Sequence, residues 1–311
     1  MPDLREILVT AASDAGPAVL IAAVTGLLAV GLARGGAPRG ARAVVALGLA
    51  SAFSAGLSRI EQWPSLPLAA GESAWLWVAW IAVGAGLVAA IGQAMKLPLL
   101  GRAVAALLLG GLATWLIAGP FVPHRVGEGE RWMLAGLGGV VTTLLAGLTS
   151  GAGRDDARLD VAGIAWLVGL TGLSLLLAIA GSSAILGRAT GLMAAALGTF
   201  VGVRFVLGGE SPSRAAALPL SALFVALGVS GWLSLNYEGH VGLPATAVAA
   251  LVAGLVVALL VVGVKALPLV GRAAVVTVLV GAATFAAFRL VDAAKPPPSN
   301  QPDPYDYSVF K

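Results

Sequence analysis

The chain has no cysteine. That removes disulfides, thiol nucleophiles, Cys-ligated zinc and iron–sulfur clusters from consideration. Histidine is nearly as scarce, with His124 and His240 standing alone and no His-x-x-x-His or Glu-x-x-His spacing around either. No metal or haem site is expected, and no cofactor of any kind. Charge is the next shortage. Only 11% of the 311 residues are Asp, Glu, Lys or Arg, against about 25% in an average soluble domain. A core of this size cannot hide the complementary 59% of hydrophobic residues from water, and the mean hydropathy is +0.95. The net charge of +4 is spread as single basic residues between apolar runs, so it reads as topology signal and not as a nucleic-acid surface. No nucleic-acid partner is expected.

What remains is a polytopic, all-α membrane protein. A spanning helix needs about 20 mainly apolar residues. About ten such transmembrane segments are read, near 16–33, 43–59, 74–93, 102–119, 132–150, 161–180, 190–208, 215–234, 245–264 and 273–290. The N-terminal "MPDLREILVTAASDAGPAVL" has mixed charge and leads into a run long enough to remain in the bilayer, so no cleaved leader is expected.

Lys and Arg set the orientation. With the N-terminus outside, Arg34, Arg39, Arg42, Lys96, Arg102, Arg154, Arg158, Arg204, Arg214, Lys265 and Arg272 face the cytoplasm. Acidic residues divide the other way, with only Asp155, Asp156, Asp160 and Glu210 inside. Both termini then lie outside, in what reads as a bacterial inner membrane. Tryptophan follows the outer boundary at Trp63, Trp75, Trp77, Trp80, Trp115, Trp132 and Trp232, and only Trp166 falls near the inner one.

One stretch occurs twice. "LPLLGRAVAALLLGGLATW" at 97–115 returns as "LPLVGRAAVVTVLVGAATF" at 267–285, with ten of nineteen positions identical. The offset of 170 also pairs Arg34 with Arg204 and Ser51 with Ser221. The matched helices are six apart, so both copies cross in the same sense, as a parallel repeat. The expected organisation is 1–15 as an outer N-terminal segment, 16–119 as a first four-helix repeat, and 120–189 as two linking helices. A second four-helix repeat follows at 190–290, and 291–311 forms a Pro-rich extended tail. Pro98 with Arg102, and Pro268 with Arg272, read as helix-start turns: proline opens the helix and arginine marks the inside.

No ionisable residue is expected at the middle of a span, which argues against a buried proton or sodium relay. Glu61, Gln62 and Trp63 at the outer end of the second helix, with Asn236, Tyr237, Glu238 and His240 at the eighth, form a candidate rim for a partner or ligand. The tail 291–311, extended by its prolines, ends in Tyr305, Tyr307, Val309 and Phe310, a candidate docking strand. Gln93 and Lys96 read as interface anchors. Ser51, Ser54 and Ser58 form a stripe that, with Thr142 and Thr143, is expected to bond helix backbone. Gly147/Gly151, Gly187/Gly191 and Gly198/Gly202 mark close helix approach.

No nucleophile–base pair, paired carboxylates or phosphate loop is present, so no enzyme is expected. Two functions fit. The favoured one is a non-catalytic subunit of a membrane complex, embedded in the bilayer and docking membrane or periplasmic-side subunits through its outer rim and tail. The other is a permease for a small neutral or amphipathic solute.

Overall fold

The computed structural model describes residues 4–61, 76–122, 126–151, 160–179, 183–234, 243–264 and 266–294, with side chains from Ser13 onward. Among them there are eleven α-helices, one short 3-10 turn and no strand. In chain order the helices are α1 (Leu4–Arg34), α2 (Pro38–Ile60), α3 (Trp77–Ala94), α4 (Leu99–Ala118), α5 (Glu128–Gly151) and α6 (Val161–Ile179). They continue with α7 (Ala184–Leu207), α8 (Pro212–Ala215), α9 (Ala217–Leu233), α10 (Ala245–Val262) and α11 (Leu269–Ala294).

Nine of the described helices are long and apolar enough to cross a membrane, and α9 is a shorter apolar helix of 17 residues. The chain is a polytopic, helical membrane protein. Two ends differ most from the expected boundaries. Helix α1 already runs from Leu4, with Pro17 inside it, and α7 opens at Ala184 instead of near 190. The Ser183 side chain explains the second shift, because it accepts from the Leu186 N–H at 3.2 Å and caps the helix earlier.

The helices close into a ring around α9. Adjacent members are α3, α2, α7, α6, α10, α5 and α4, which returns to α3; α1 leans on α2 and α7, and α11 on α6 and α10. Helix α9 is buried over nearly its whole length, against α3, α4 and α5 above all. The ring has two thin joints, α3–α4 and α5–α10. The α4–α5 hairpin meets the rest of the bundle mainly through α9, with smaller contacts to α3, α10 and α8.

Within the hairpin the packing is tight. Lipid tails are as apolar as leucine, so helices in a bilayer associate through close packing and hydrogen bonds more than through hydrophobic transfer. Helix α4 presents Gly110 and Thr114; α5 presents Gly138 and Thr142. The two pairs interlock. A Cβ on Gly110 would collide with Thr142, and one on Gly138 would collide with Thr114. Thr114 donates its hydroxyl to the Gly110 carbonyl at 2.9 Å, and that same oxygen lies in the Gly138 socket. Thr25 against Gly48 and Thr284 against Gly172 repeat the device elsewhere.

The glycine pairs expected from spacing fare differently. Gly187 packs onto Ala178 and Ser174, with Gly191 also in contact with Ser174. Gly147, Gly151 and Gly202 have no atom within 4 Å of an added Cβ, so they mark no close approach between helices. Their register was right, but they face open space.

The two LPLxGR turns have matching local geometry. Arg102 N–H donates to Pro98 O at 3.1 Å and Arg272 N–H to Pro268 O at 2.9 Å. Gly101 and Gly271 each sit against the ring of the preceding proline. Thr114 and Thr284, matched in the repeat, both fill glycine sockets. Beyond this the neighbours differ, since α4 pairs with the helix after it and α11 with the helix before it.

Exchanging one socket tests this packing. Gly138→Ala alone should lower stability by about 1–3 kcal/mol through overpacking. Adding Thr114→Gly, which returns the space, should recover most of the loss. The check is the midpoint of heat-induced loss of monomer in mild detergent.

Candidate binding cavity at the arginine end

Charged loops gather at one end of the bundle. Arg34 Nη2 donates to Leu207 O at 2.9 Å, joining the ends of α1 and α7. Arg42 Nε lies 3.5 Å from a Glu210 carboxylate oxygen. Arg272 Nη1 donates to Val262 O at 3.2 Å and so covers the last turn of α10. The opposite end carries Trp77, Trp115, Trp132 and Trp232. There Arg131 lies 3.5 Å above the Trp115 ring and donates through Nε to the Trp115 carbonyl at 3.1 Å. An Arg188–Asp14 ion pair ties α7 to α1 at the same end.

Trp166 is the exception expected at the arginine end, and it is no interface anchor. It is fully buried. Its Nε1–H donates to Thr149 Oγ1 at 2.9 Å, and its ring meets Phe224 edge-on at 5.6 Å. It joins α6, α5 and α9.

At the arginine end the loose α3–α4 joint opens into a cavity of about 310 Å³. That is near the lower limit of typical ligand pockets, about 300–1,000 Å³. Arg42 from α2, Arg102 from α4 and Arg214 from α8 line it, with Gln93, Thr143 and Ser150 as further polar residues. Deeper, the walls are Val88, Ala89, Ala103 and Ala106, and the start of α9 closes the floor. Among the described residues no carboxylate lines the cavity. Gly147 faces this space, which is why an added Cβ there meets nothing.

The backbone prepares two of the three arginines. Lys96 ends α3 with φ 56°, a left-handed conformation usually given to glycine. Leu97 N–H then reaches back to Gly92 O at 3.1 Å, and the chain reverses into Pro98 and α4. Arg102, one turn into α4, is tied through Nε to Leu97 O at 2.9 Å. Arg42 is held likewise, through Nε to Pro38 O at 3.3 Å.

Arg214 is positioned by a buried carboxylate. The Asp160 and Arg204 side chains are 3% and 8% exposed and 3.7 Å apart. Asp160 Oδ1 accepts from Gly163 N–H at 2.8 Å, which caps α6, and from Ser213 Oγ at 2.7 Å. Oδ2 accepts from Ser211 Oγ at 2.7 Å and Ser213 N–H at 3.2 Å. Ser211 Oγ in turn accepts from Arg214 N–H at 3.4 Å. Asp160 therefore fixes both the start of α6 and the short α8 that carries Arg214.

The residues singled out from sequence are placed as follows. Glu61 is half-buried at the end of α2, where its N–H donates to Leu57 O at 3.0 Å. Gln62, Trp63, Asn236, Tyr237, Glu238 and His240 lie outside the described residues, as do Tyr305, Tyr307, Val309 and Phe310. Arg102, read as a topology mark, also lines the cavity, and so does Gln93. Arg42, Arg214, Asp160 and Ser213 were not among the candidate site residues. Ser58 and Thr143 bond helix carbonyls at 2.8 Å each, as their spacing suggested, whereas the buried Ser54 and Thr142 hydroxyls do not.

Among the described residues there is no cluster of three potential metal ligands. No family model matches the chain, and no curated protein or solved structure matches it either.

Breaking a buried ion pair from one side costs about 3–5 kcal/mol, because the other charge is left uncompensated. Asp160→Ala should therefore be strongly destabilising, and Asp160→Ala with Arg204→Met distinctly less so than Asp160→Ala alone. Thermal unfolding of the purified variants in detergent reads the difference.

Proposed function

We propose that the chain is a permease for a small amphipathic solute, and that the cavity at the arginine end is the vestibule through which solute is taken up or released. The observation that carries this reading is the cavity itself. It sits at one of the two thin joints of the ring, beside a helix hairpin that is tight within itself and packed mainly on α9. Rocking of α4–α5 against α9 would close the α3–α4 joint and alter the α5–α10 joint without disturbing the Gly–Thr sockets. Alternating access in many carriers is this kind of rigid-body motion.

The ten-span count belongs to the proposal, with α9 as the tenth. Its first residues line the cavity at the arginine end, and Trp232 and Leu233 line a recess at the other. So does the duplication, with LPLxGR opening the corresponding helix of each copy. In this reading the arginine end is cytoplasmic, in a bacterial cell, and both termini lie outside; the bias of Lys and Arg toward these loops supports it.

A second reading has an observation in its favour. The middle of the bundle is filled by Trp166, Phe224, Leu170, Leu173 and Leu177, all essentially inaccessible. A non-catalytic subunit docking partners at its outer rim would need no path through that centre.

The absence of cysteine gives a clean test. Thr143→Cys, inside the cavity, and Ser150→Cys, at the end of α5, would each be the sole thiol. A carrier predicts that a membrane-impermeant maleimide labels Thr143→Cys from both faces of oriented vesicles, and Ser150→Cys from the arginine face alone. Labelling of Thr143→Cys from the arginine face only would contradict alternating access and favour the subunit.

A further inference from the structure

The cavity has a chemical polarity that narrows its ligand. Arg42 and Arg102 each bond through Nε to a backbone carbonyl four or five residues earlier, at 3.3 and 2.9 Å. Among the described residues, the terminal nitrogens of both have no hydrogen-bond partner. Each guanidinium is thus anchored at its base and keeps its fork of N–H donors. Glu210 faces Arg42 at 3.5 Å but is not itself part of the lining.

Such forks match an oxyanion and repel a cation. The interior imposes a second condition. Val88, Ala89, Ala103 and Ala106 offer no donors or acceptors on their side chains, so a sugar or a peptide would lose its hydrogen bonds there. A short hydrocarbon would lose nothing.

We propose that this cavity binds a small amphiphile by its oxyanion head, a phosphate or carboxylate, with Arg42 and Arg102 on the head and the apolar group directed inward along α3 and α4. The reading rests on the permease proposal for its role in transport, but binding is measurable apart from transport, so either can fail alone. The same head chemistry comes from a water-soluble amphiphile or from an anionic lipid of the adjoining leaflet.

The full-length protein in a neutral detergent is titrated with butyl phosphate, and binding is followed by calorimetry. Inorganic phosphate should bind at least tenfold more weakly, and butanol and butyltrimethylammonium should show no saturable binding. Arg42→Gln and Arg102→Gln should each weaken butyl phosphate tenfold or more. Arg272→Gln, at the same end but outside the cavity, should bind as the parent does. Thr143→Trp, which fills the cavity and keeps every arginine, should abolish binding, and thermal unfolding midpoints like the parent's in all three variants exclude misfolding as the cause.

Nanodiscs then identify the source. Competition by phosphatidylglycerol but not phosphatidylcholine supports a lipid head at this site, and indifference to both supports a soluble ligand. Equal binding of butanol or of the cation, or unchanged affinity in both arginine variants, would overturn the proposal. Butyl phosphate binding with one-sided labelling of Thr143→Cys would keep the site and remove the carrier.

Discussion

Helix α9 has almost no surface of its own, and the rest of the bundle is arranged by the need to enclose it. At 17 residues it spans about 26 Å, short of the roughly 30 Å of a bilayer core. On the ten-span proposal it crosses inside the protein, away from lipid, and the preceding α8, capped by Ser211, adds one turn. Pro219, Ser221 and Ser230 are tolerated in it because neighbouring protein, not lipid, surrounds them. Ser221 Oγ donates to Ala217 O at 2.7 Å, which satisfies the hydroxyl locally. A central helix of this kind demands partners that approach it and one another closely. The glycines supply that approach.

The consequence is an uneven ring. Where glycine meets threonine, as between α4 and α5, the helices lock. Where alanine faces alanine across an unfilled gap, as between α3 and α4, a cavity remains. Arginines that would otherwise only anchor the loops find themselves at its edge. Asp160 completes the arrangement from the side. One carboxylate with four hydrogen-bond donors and a guanidinium holds the start of α6 and the short α8, and through α8 it sets where Arg214 stands.

Much of the fold was legible because it depends on composition over long windows. The apolar runs gave the helices, and the repeated LPLxGR gave two turns of the same build at Pro98 and Pro268. The cavity was not legible, for a physical reason. Arg42, Arg102 and Arg214 come from three helices far apart in sequence, each with a sufficient local explanation as a topology signal. Nothing in the spacing says that they converge. The glycine sockets were half legible: Gly-x-x-x-Thr at 110–114 and 138–142 has the small-residue register, but Gly147/Gly151 has it too and borders empty space. Register says that close approach is permitted, and the facing residue decides whether it happens. Asp160 escaped notice because it stands in a polar loop by sequence and becomes buried only when α8 folds over it.

The central claim is that α4–α5 is a rigid unit joined loosely to its ring neighbours α3 and α10. Distances between paired spin labels test it most directly, since every introduced cysteine is unique. One pair, at Leu144 and Leu260, crosses the α5–α10 joint from exposed positions; the other, at Leu108 and Val140, lies within the hairpin on α4 and α5. The account predicts a broad or two-peaked distribution across the joint that butyl phosphate shifts, and a single narrow one within the hairpin. Equally narrow distributions for both pairs, unchanged by ligand, would contradict it.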